Sequence, residues 1–562
     1  MQRQWILPPA ADPLAATRLL RALDLPSSLT ALLIRRGFDD PAAAADFLSP
    51  KLRSLSPPES LPGIEAASDR ILKAARTGER IVLYGDYDVD GVTSLALLAR
   101  VLRRFGADVE CFLPLRVEEG YGLSAAGVER CCETLRPQLL VAVDCGTTSI
   151  REISALRARQ VDVVVLDHHE PGPSLPDCAA LVNPKCNGDL HYLCSAGVVF
   201  KLVHAMQKRA PVDGLDLRHF LDMVALATIA DIVPLTGENR TFVRYGLQQM
   251  ASTCWPGIAA LMRVSGVVPP VRAGDVGFRL GPRINAAGRL GPAQEALSLL
   301  LTDDHAEAAR LAAGLDLHNR ERQNVERDVS RDAEDWVDRN FDPERDASIV
   351  AGRRDWHVGV LGVVASRVMR KHHRPTFIVG FDESGSGKGS GRSIEGLSLV
   401  SLLRQCSEHL EKFGGHDMAA GVSIHESSFA AFQSAFASAA REAATSDVLT
   451  PRLKLDAELE LHDLDTSLLE SQDSIEPFGA GNPQPVYFTR AIRPADTPRV
   501  LKDKHLKIEF SAGRRRFPAV FFNARLDSLP RPPWDVAFLL DWNIWQGRTE
   551  AQMRIVDIRK AA

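Results

Sequence analysis

The sequence predicts an α/β chain in which two α/β domains are joined by a long helix and followed by a small β-barrel. Three changes of pattern predict this fold class. Short apolar runs alternate with amphipathic helical stretches up to about residue 300, a long charged helical stretch follows, and short strands with turns fill the region after residue 450. The 562 residues, 45% of them hydrophobic, are enough for three or four domains.

The predicted boundaries follow the same changes of pattern. We expect an N-terminal helical segment, a first α/β domain, a connecting helix, a second α/β domain and the β-barrel at residues 1–60, 61–302, 303–341, 342–447 and 448–562. The connecting helix is long and strongly polar, which is typical of a solvent-bridging helix between domains.

Composition excludes several classes of protein. No apolar run approaches the ~18 residues that cross a bilayer, and prolines interrupt the short apolar start of the chain, so we expect neither a membrane span nor a signal peptide. Nine cysteines without a Cys-x-x-Cys pair argue against a disulfide framework and against a zinc site. These observations favour a reduced, cytoplasmic protein.

The net charge of −5 hides one basic region. Between Arg490 and Arg516, nine Lys and Arg side chains stand against three acidic ones. A solvated charged surface is the simplest interpretation, but the strand-type segments around it also suit a basic barrel face that follows single-stranded nucleic acid. Core packing suits most of the nearby aromatic residues, and any on the basic face are candidates for base stacking: Phe510, Phe517, Phe521, Phe522, Trp542 and Trp545.

Acidic and imidazole side chains follow three of the predicted strands. The strand at 80–84 leads into Asp86, Asp88 and Asp90. The strand at 139–143 leads into Asp144, and the strand at 161–166 leads into His168 and His169. Because ligands of an open α/β sheet bind outside the carboxyl ends of its strands, we expect these groups at one rim. Asp231, in an apolar stretch further along the chain, is an additional candidate.

A cluster of carboxylates at one rim requires cations. Each pair repels by roughly 1–4 kcal/mol, depending on the effective dielectric constant. Carboxylate oxygens select hard divalent ions such as Mg²⁺ and Mn²⁺, and an imidazole ligand favours Mn²⁺. Four Asp and one His suffice for two ions, the usual arrangement for in-line displacement at phosphorus.

Other interpretations of the same residues explain less. The spacing from Asp86 to Gly91 matches half of a calcium-binding EF-hand loop, but Leu97 stands where that loop needs Glu. Asp88 to Val92 resembles the nucleophile loop of haloacid-dehalogenase phosphatases, in which Asp88 would become phosphorylated and the other strand ends would have no role. For Asp144 taken alone, a helix N-cap is the simpler interpretation, but capping does not account for three strand ends together.

Four ordered motifs resemble those of the DHH phosphoesterase superfamily: Gly85-Asp-Tyr-Asp-Val-Asp-Gly91, Val143-Asp-Cys-Gly146, Asp167-His-His169 and Ala230-Asp-Ile-Val-Pro234. Four more are similar to those of its RecJ family of single-strand-specific 5′→3′ DNA exonucleases: Pro282-Arg-Ile-Asn-Ala-Ala-Gly-Arg-Leu-Gly291, Gly389-Ser-Gly-Arg-Ser393, Phe413-Gly-Gly-His-Asp417 and Glu476-Pro-Phe-Gly-Ala-Gly-Asn-Pro483. The resemblance covers the chain from about residue 50 to its end. It implies a DHH domain, a DHH-associated domain and an oligonucleotide-binding (OB) barrel.

The resemblance also implies roles for individual residues. The implied ligands of two Mn²⁺ or Mg²⁺ ions are Asp88, Asp90, Asp144, His168 and Asp231, with Asp144 as the bridge. Tyr84 stands where many members have a ligating His, so we expect one weaker metal site that Asp86 or water completes. His169 and Arg289 are expected at the substrate phosphate. The remaining implied substrate contacts are Arg283, Asn285, Ser390, Gly391, Arg392, Gly415 and His416.

The glycine-rich stretch from Gly385 to Arg392 supports a phosphate-binding role independently. Its glycines let backbone N–H groups approach a phosphate closely, and Arg392 can bind a phosphate with two hydrogen bonds. Taken alone, such a stretch is more simply interpreted as a flexible surface loop. The neighbouring Gly414, Gly415 and His416 favour the phosphate-binding interpretation.

Together these features predict an exonuclease that hydrolyses single-stranded DNA from the 5′ end to mononucleotides in DNA repair and recombination. The alternative is a DHH-family oligoribonuclease or a phosphatase of small phospho-nucleotides, which the extra barrel disfavours. An inactive DNA-binding scaffold is disfavoured because the ligand positions, apart from Tyr84, are retained. The family implies a monomer that works with single-strand-binding protein, a RecQ-type helicase and mismatch-repair proteins.

Overall fold

The computed structural model describes residues 3–115, 119–120, 122–290, 293–502, 504–545 and 548–561. Gly291, at the end of one motif, lies outside them, as does the side chain of Trp545. The chain divides into two compact units. The larger unit comprises Ile6–Ile284, Ala293–Ala312 and Lys454–Ala562, and the smaller unit comprises Met1–Trp5, Asn285–Pro292 and Ala313–Leu453.

A five-stranded parallel sheet forms the centre of the first α/β domain in the larger unit. Its strands lie in the order Val109–Phe112, Ile81–Tyr84, Leu139–Val143, Asp162–Leu166 and Ala180–Val182. The three middle strands are almost wholly buried and rich in Val, Leu and Ile, as expected for a parallel sheet covered on both faces. The predicted parallel sheet is therefore confirmed, and its parallel strands carry their carboxyl ends to one edge.

Helices alternate with these strands and continue beyond them. Those in the larger unit are Pro13–Ala22, Ser27–Arg35, Pro41–Leu48, Ile64–Thr77, Val89–Arg104, Ala125–Leu135, Ile150–Ala158, Pro184–Asn187, Ser195–Arg209, Leu221–Ala230, Gly237–Met250, Pro256–Ser265, Ala273–Asp275, Gln294–Leu301 and, in the barrel region, Thr466–Asp473. Asp12 and Asp40 cap the first and third of them by accepting hydrogen bonds from backbone N–H groups. The N-terminal segment is not wholly helical, because Gln4–Ile6 forms a short strand with Arg452–Lys454.

The β-barrel region contains a seven-stranded sheet. Its strands lie in the order Ala457–Glu458, Tyr487–Ile492, Trp534–Trp545, Arg548–Lys560, Arg515–Phe522, His505–Ala512 and Arg499–Leu501. Its core is continuous with that of the N-terminal helices, because Leu29, Leu33 and Phe47 belong to the same buried cluster as Phe510 and Phe538. This shared core explains why the sheet belongs to the larger unit.

The barrel core contains most of the aromatic residues near the basic region, as the sequence analysis expects. Phe510 and Phe517 are buried in the hydrophobic cluster, and Phe521 and Trp542 pack against it. Phe522 is half exposed and stands edge-on to His505, with ring centres 5.1 Å apart. The reason is the period-2 alternation of a strand, which turns every second side chain of Arg515–Phe522 towards the core.

The smaller unit is built on a second five-stranded sheet. Its strands lie in the order Lys412–Gly415, Ala419–His425, Ser386–Arg392, Thr376–Phe381 and Ile349–Arg354. Only the last pair is parallel. Its helices are Leu361–His372, Leu399–Gln405 and Glu426–Ala443, and the 36-residue helix His305–Asn340 runs where the charged stretch predicts it.

The glycine-rich stretch is a strand in the middle of this sheet, so the expectation of a loop is wrong. A Cβ atom on Gly387 would lie 2.6 Å from Phe381, and one on Gly391 would lie 2.4 Å from Phe377. Both distances are far inside van der Waals contact, so aromatic packing against the strand requires glycine there. Tertiary packing thus overrides the low strand propensity of glycine.

Candidate metal centre

The three predicted strand ends meet at the carboxyl edge of the parallel sheet. Asp144 follows its strand directly and has a left-handed backbone with φ of 63°, and its N–H donates to the carbonyl oxygen of Leu166 on the neighbouring strand. A left-handed non-glycine residue costs about 1–3 kcal/mol and is concentrated at functional sites. The backbone at Asp144 is therefore held in an uncommon conformation where the chemistry is predicted.

His168 lies at the centre of the clustered carboxylates. Its Nε2 atom is 3.4 Å from Asp144 Oδ1, 3.6 Å from Asp231 Oδ2 and 3.8 Å from Asp90 Oδ2. Asp231 reaches the cluster from the end of the helix Leu221–Ala230. The chain therefore brings together residues that are more than 140 positions apart in the sequence.

The candidate ligand atoms form three sets, and the atoms within each set lie within 4.8 Å of one another: Asp86, Asp88 and Asp144; Asp90, His168 and Asp231; and Asp144, His168 and His169. All six residues expected as metal ligands occur in these sets. Asp144 and His168 each belong to two of them. This is the arrangement that two neighbouring ions with a shared carboxylate require.

The electrostatics of the cluster favour bound cations. Burial, followed by the charges of Asp90 and Asp88, raises the pKa of Asp144 well above its usual range. The same causes, in the same order, raise the pKa of Asp231 to about 8. Oδ2 of Asp231 is buried and makes no hydrogen bond within the described residues. Divalent cations would neutralise this repulsion and occupy that oxygen, so the donor set fits hard metal ions.

The start of the helix Ser195–Arg209 holds two of the carboxylates. The N–H groups of Ser195 and Ala196 donate to the two oxygens of Asp90 over 2.7 and 2.9 Å, and the Ser195 hydroxyl donates to Asp144 Oδ1 over 2.8 Å. Positive helix N-termini stabilise carboxylates in this way. Ser195 is not among the site residues predicted from the sequence. The sequence around Ser195 shows only a stretch of small residues at the start of an apolar helix, which does not indicate a role at a metal site.

Replacing Ser195 with alanine tests this positioning role. Loss of a group that orients metal ligands costs roughly 10–100-fold in metal affinity or activity. We expect the Mn²⁺ concentration for half-maximal activity to rise in this range, while activity at saturating Mn²⁺ recovers in part. Ser154→Ala, an exposed serine that bonds only within its own helix, is the matched control. An unchanged Mn²⁺ requirement in Ser195→Ala would contradict the role.

Asp167 orients the histidine pair. It accepts hydrogen bonds from the N–H groups of Thr147, His168 and His169, and His169 Nδ1 lies 2.8 Å from its Oδ1. Burial by itself would lower the pKa of His169, but the hydrogen bond and ion pair with Asp167 outweigh burial and raise the pKa. The side chain of His169 is 37% exposed. Burial lowers the pKa of His168, so its neutral imidazole can donate a lone pair to a metal.

Two sequence interpretations can be compared with the structure. Tyr84 is buried, packs on Phe112 and donates its hydroxyl hydrogen bond to the carbonyl oxygen of Gly122, so it belongs to the hydrophobic core, and the weaker metal site stays a prediction. The helix N-cap alternative for Asp144, which the sequence already disfavoured, does not hold, because the next helix begins at Ile150 with Ser149 as its N-cap residue. It is Asp88 that caps a helix, by accepting a hydrogen bond from the N–H of Gly91.

The other expected substrate contacts belong to two places. Arg283 lies in the larger unit and donates to the carbonyl oxygen of Arg279 over 2.6 Å. Asn285 and Arg289 belong to the smaller unit, where Arg289 donates to the carbonyl oxygen of Gly359. All three residues are on the helix Gly281–Leu290.

The remaining five residues converge within the smaller sheet. Ala420 pairs with Gly415 on one side and Gly391 on the other, which aligns three adjacent strands. His416 follows Gly415 and donates its N–H to the carbonyl oxygen of Ala419. Ser390 and Arg392 stand beside the start of the helix Leu361–His372, where a Cβ on Gly362 would meet both side chains at 3.0 Å. A serine, an arginine and a helix start together suit an anion.

Comparison with known proteins places the whole chain in one family. The DHH family N-terminal domain matches residues 80–228, the DHHA1 domain residues 346–442 and the RecJ OB domain residues 455–557.

No helix in the described ranges is long and apolar enough to cross a membrane.

The relatives agree with these domain matches. The single-stranded-DNA-specific exonuclease RecJ of Salmonella typhimurium is 34% identical over 95% of this chain and 97% of its own length, and that of Bacillus subtilis is 32% identical over 96% and 69%. The crystal structure of RecJ from Thermus thermophilus in complex with Mn²⁺ is 33% identical and covers 100% of this chain and 80% of its own, with a TM-score of 0.86. With its full domain set and relatives above 30% identity along nearly its whole length, the chain belongs to the RecJ family of single-stranded-DNA-specific exonucleases.

Proposed function

We propose that this chain hydrolyses single-stranded DNA from the 5′ end and releases mononucleotides, in the service of DNA repair and recombination. The observation that carries the proposal is the group of three overlapping ligand sets at the carboxyl edge of the parallel sheet, two of which contain Asp144. The names of its relatives supply the substrate class. The alternative, an oligoribonuclease or small-nucleotide phosphatase, leaves the RecJ OB domain without a purpose.

The proposed chemistry distributes the six expected ligands of these sets over two divalent ions. Asp86, Asp88 and Asp144 would hold one ion, and Asp90, His168, Asp231 and the shared Asp144 would hold the other. When bound, two Mn²⁺ or Mg²⁺ ions supply positive charge that stabilises the phosphorane-like transition state and makes water a better nucleophile. Ser195 and Asp167 keep the carboxylates and imidazoles aligned. The weaker site expected from Tyr84 is not part of this assignment.

Cationic and polar groups would bind the substrate itself. The protonated form of His169, which Asp167 favours, donates to a phosphate oxygen, and Arg289 offsets negative charge that develops on the non-bridging oxygens. We assign Arg283 and Asn285 to the sugar-phosphate backbone. Ser390, Gly391, Arg392, Gly415 and His416 form the proposed nucleotide-binding surface of the smaller unit.

The polarity and product size are tested with one 30-nucleotide strand labelled at either end. With Mn²⁺, the 5′ label should leave as a mononucleotide in the first turnover, while the 3′-labelled strand shortens gradually. EDTA and a blunt duplex of the same sequence should abolish both reactions. First release of the 3′ label, or cleavage of dinucleotides alone, would contradict the proposed function and favour the alternative.

The barrel is proposed to capture long single strands through its basic region. The structure reduces the number of available cations, because Arg516 pairs with Asp496 and Glu509, and Arg490 pairs with Glu458. Arg514 lies at the turn before the strand Arg515–Phe522, and Arg515 is held over the ring of Phe517. Arg514 and Arg515 are therefore the better candidates for phosphate contacts.

Replacing Arg514 and Arg515 with glutamine should weaken binding to a long single strand. Each lost contact should lower the salt slope of binding by roughly 0.7. Hydrolysis of a trinucleotide should hardly change, because so short a substrate depends on the metal centre. The control is Arg516→Gln, whose paired guanidinium should contribute less. An equal defect on short and long substrates would mean that the arginines support the fold instead.

The cellular setting is proposed as well. All nine cysteines are free thiols, which suits the reducing cytoplasm. We propose that the chain works there as a monomer, with single-strand-binding protein, a RecQ-type helicase and mismatch-repair proteins as partners.

A further inference from the structure

A large aromatic side chain lies exposed close to the metal centre. Phe278 is 83% exposed in the complete chain and stands in a π-helical turn, Val276–Leu280. Single π-helical turns are rare and are frequent at functional sites. Full exposure of a phenylalanine in such a turn is unfavourable unless a ligand covers it.

The π-helical turn packs directly against the segments that carry metal-ligand candidates. A Cβ on Gly277 would lie 3.7 Å from Ile229, and one on Gly281 would lie 3.4 Å from Ala230 and 4.0 Å from Val89. Ala230 precedes Asp231 in the chain, and Val89 lies between Asp88 and Asp90. The glycine before Phe278 and the glycine after the turn therefore contact two segments that carry three proposed ligands, Asp88, Asp90 and Asp231, and all of these residues belong to the larger unit.

Ile232, which follows Asp231, is a second and independent outlier. It has φ of 62° and its side chain is 74% exposed. A β-branched residue in the left-handed region is strained, and such strain persists only where the surroundings enforce it. Two exposed apolar side chains thus flank the contact between the π-helical turn and the end of the helix Leu221–Ala230.

We propose that Phe278 and Ile232 form a platform on which an unpaired base of the DNA strand stacks next to the metal centre. The inference rests on the proposed function. Bases present flat apolar faces, and stacking on aromatic side chains tolerates every sequence. The guanidinium of Arg283 is held at the carbonyl oxygen of Arg279, the residue after Phe278, and supplies a cation at this turn for the adjoining phosphate. A base within a duplex is already stacked, so the platform also selects single strands.

The test combines variants of Phe278 with a scan of abasic sites. The full-length parent is assayed with Mn²⁺ beside three variants: Phe278→Ala, Phe278→Leu and Phe278→Trp. The substrates are six 5′-phosphorylated 20-nucleotide strands, each with a single abasic residue at a different one of the first six positions. Loss of one stacking contact weakens binding by roughly 5- to 100-fold. We expect Phe278→Ala to raise the half-saturating substrate concentration within this range, Phe278→Leu to do so less, and Phe278→Trp to restore it.

The decisive result is the coupling between protein and substrate. At one position, an abasic residue should weaken binding by the parent as much as the Phe278→Ala substitution weakens binding of an intact strand. When Phe278→Ala binds the strand with that abasic residue, its affinity should fall no further. Thermal unfolding should be unchanged in the variants, as in the control Leu14→Ala, which removes an exposed side chain elsewhere.

The outcomes separate this inference from the proposed function. If the parent degrades the strand but no position couples to Phe278, the platform is overturned while the exonuclease remains. If Phe278→Ala degrades every strand as the parent does, the platform is likewise overturned. If the parent degrades none of the strands, the result contradicts the proposed function itself, and with it the platform that rests on that function.

Discussion

Replacing Asp144 with alanine is expected to abolish hydrolysis of single-stranded DNA, with a loss of about a thousandfold or more, comparable to removal of a strong electrostatic contact from an active site. Asp144 belongs to two of the three ligand sets at the sheet edge and is the proposed bridge, so its removal should affect both ions. Binding of the strand should persist, because the cationic groups assigned to it lie on other elements. The measurement is the single-turnover rate with Mn²⁺, together with strand binding without metal.

The stability of the Asp144 variants separates chemistry from folding. Burial and the neighbouring Asp90 and Asp88 raise the pKa of Asp144, so the folded state binds a proton more tightly than the unfolded chain does. Its ionisation therefore costs stability as the pH rises above the unfolded pKa. Metal-free Asp144→Asn should unfold at a higher temperature than the parent at pH 8, and Mn²⁺ should stabilise it less.

The matched control is Asp162→Asn. Asp162 begins the neighbouring strand at the opposite end and pairs with Arg70. It should keep full activity and its response to Mn²⁺. More than a trace of activity in Asp144→Ala at saturating Mn²⁺ would contradict the bridging role.

Replacing Arg240 with methionine is expected to cause the largest loss of stability. Arg240 is 1% exposed, and its guanidinium stacks 3.8 Å over the ring of Phe47 and donates to the carbonyl oxygens of Phe47, Ile475 and Ser474. It thereby ties the helix Gly237–Met250 to the end of the N-terminal helices and to the segment before the strand Tyr487–Ile492. The carbonyls of Ile475 and Ser474 also accept hydrogen bonds from Asn482 and Arg244, so the main cost is the buried carbonyl of Phe47 left without this donor, about 1–3 kcal/mol, to which the lost stacking on Phe47 adds.

The urea midpoint of unfolding, followed by circular dichroism, measures this effect. Arg263→Met removes an exposed arginine from a nearby helix and should leave the midpoint in place. Arg240→Lys should recover only part of the loss, because an ammonium cannot reach three carbonyls in the geometry of the planar guanidinium. A midpoint in Arg240→Met equal to that of the parent would refute the role as a tie between segments.

The sequence predicted the parallel sheet and its ligand rim because both depend on local pattern. Buried β-branched runs reveal strands, and carboxylates at their ends reveal a rim, since parallel strands share one edge. Asp144 was found in this way, whereas Asp231, at the end of a helix, was a candidate only from its place in an apolar stretch and from the family resemblance. The family resemblance supplied the substrate class, which no periodicity indicates.

The remaining features depend on contacts between distant segments. Ser195 binds Asp90 and Asp144 only because its helix starts at the sheet edge, and nothing around Ser195 in the sequence indicates a carboxylate. The glycines of Ser386–Arg392 suggested a loop. Glycine is needed there because the rings of Phe377 and Phe381 pack against this strand, and those rings lie on the neighbouring strand, where the local sequence does not reveal the contact. Tyr84 packs in the core, a position that its place at the end of a buried strand does not reveal, and its expected effect on the metal site stays a prediction.

In the proposed mechanism the acidic cluster holds two divalent ions that share Asp144. Anomalous diffraction at the manganese edge, from crystals of the full chain soaked in Mn²⁺, tests this most directly. We expect two peaks, one at Asp86, Asp88 and Asp144 and the other at Asp90, His168, Asp231 and the shared Asp144, and loss of both in Asp144→Ala crystals. A single peak, or peaks away from Asp144, would contradict it.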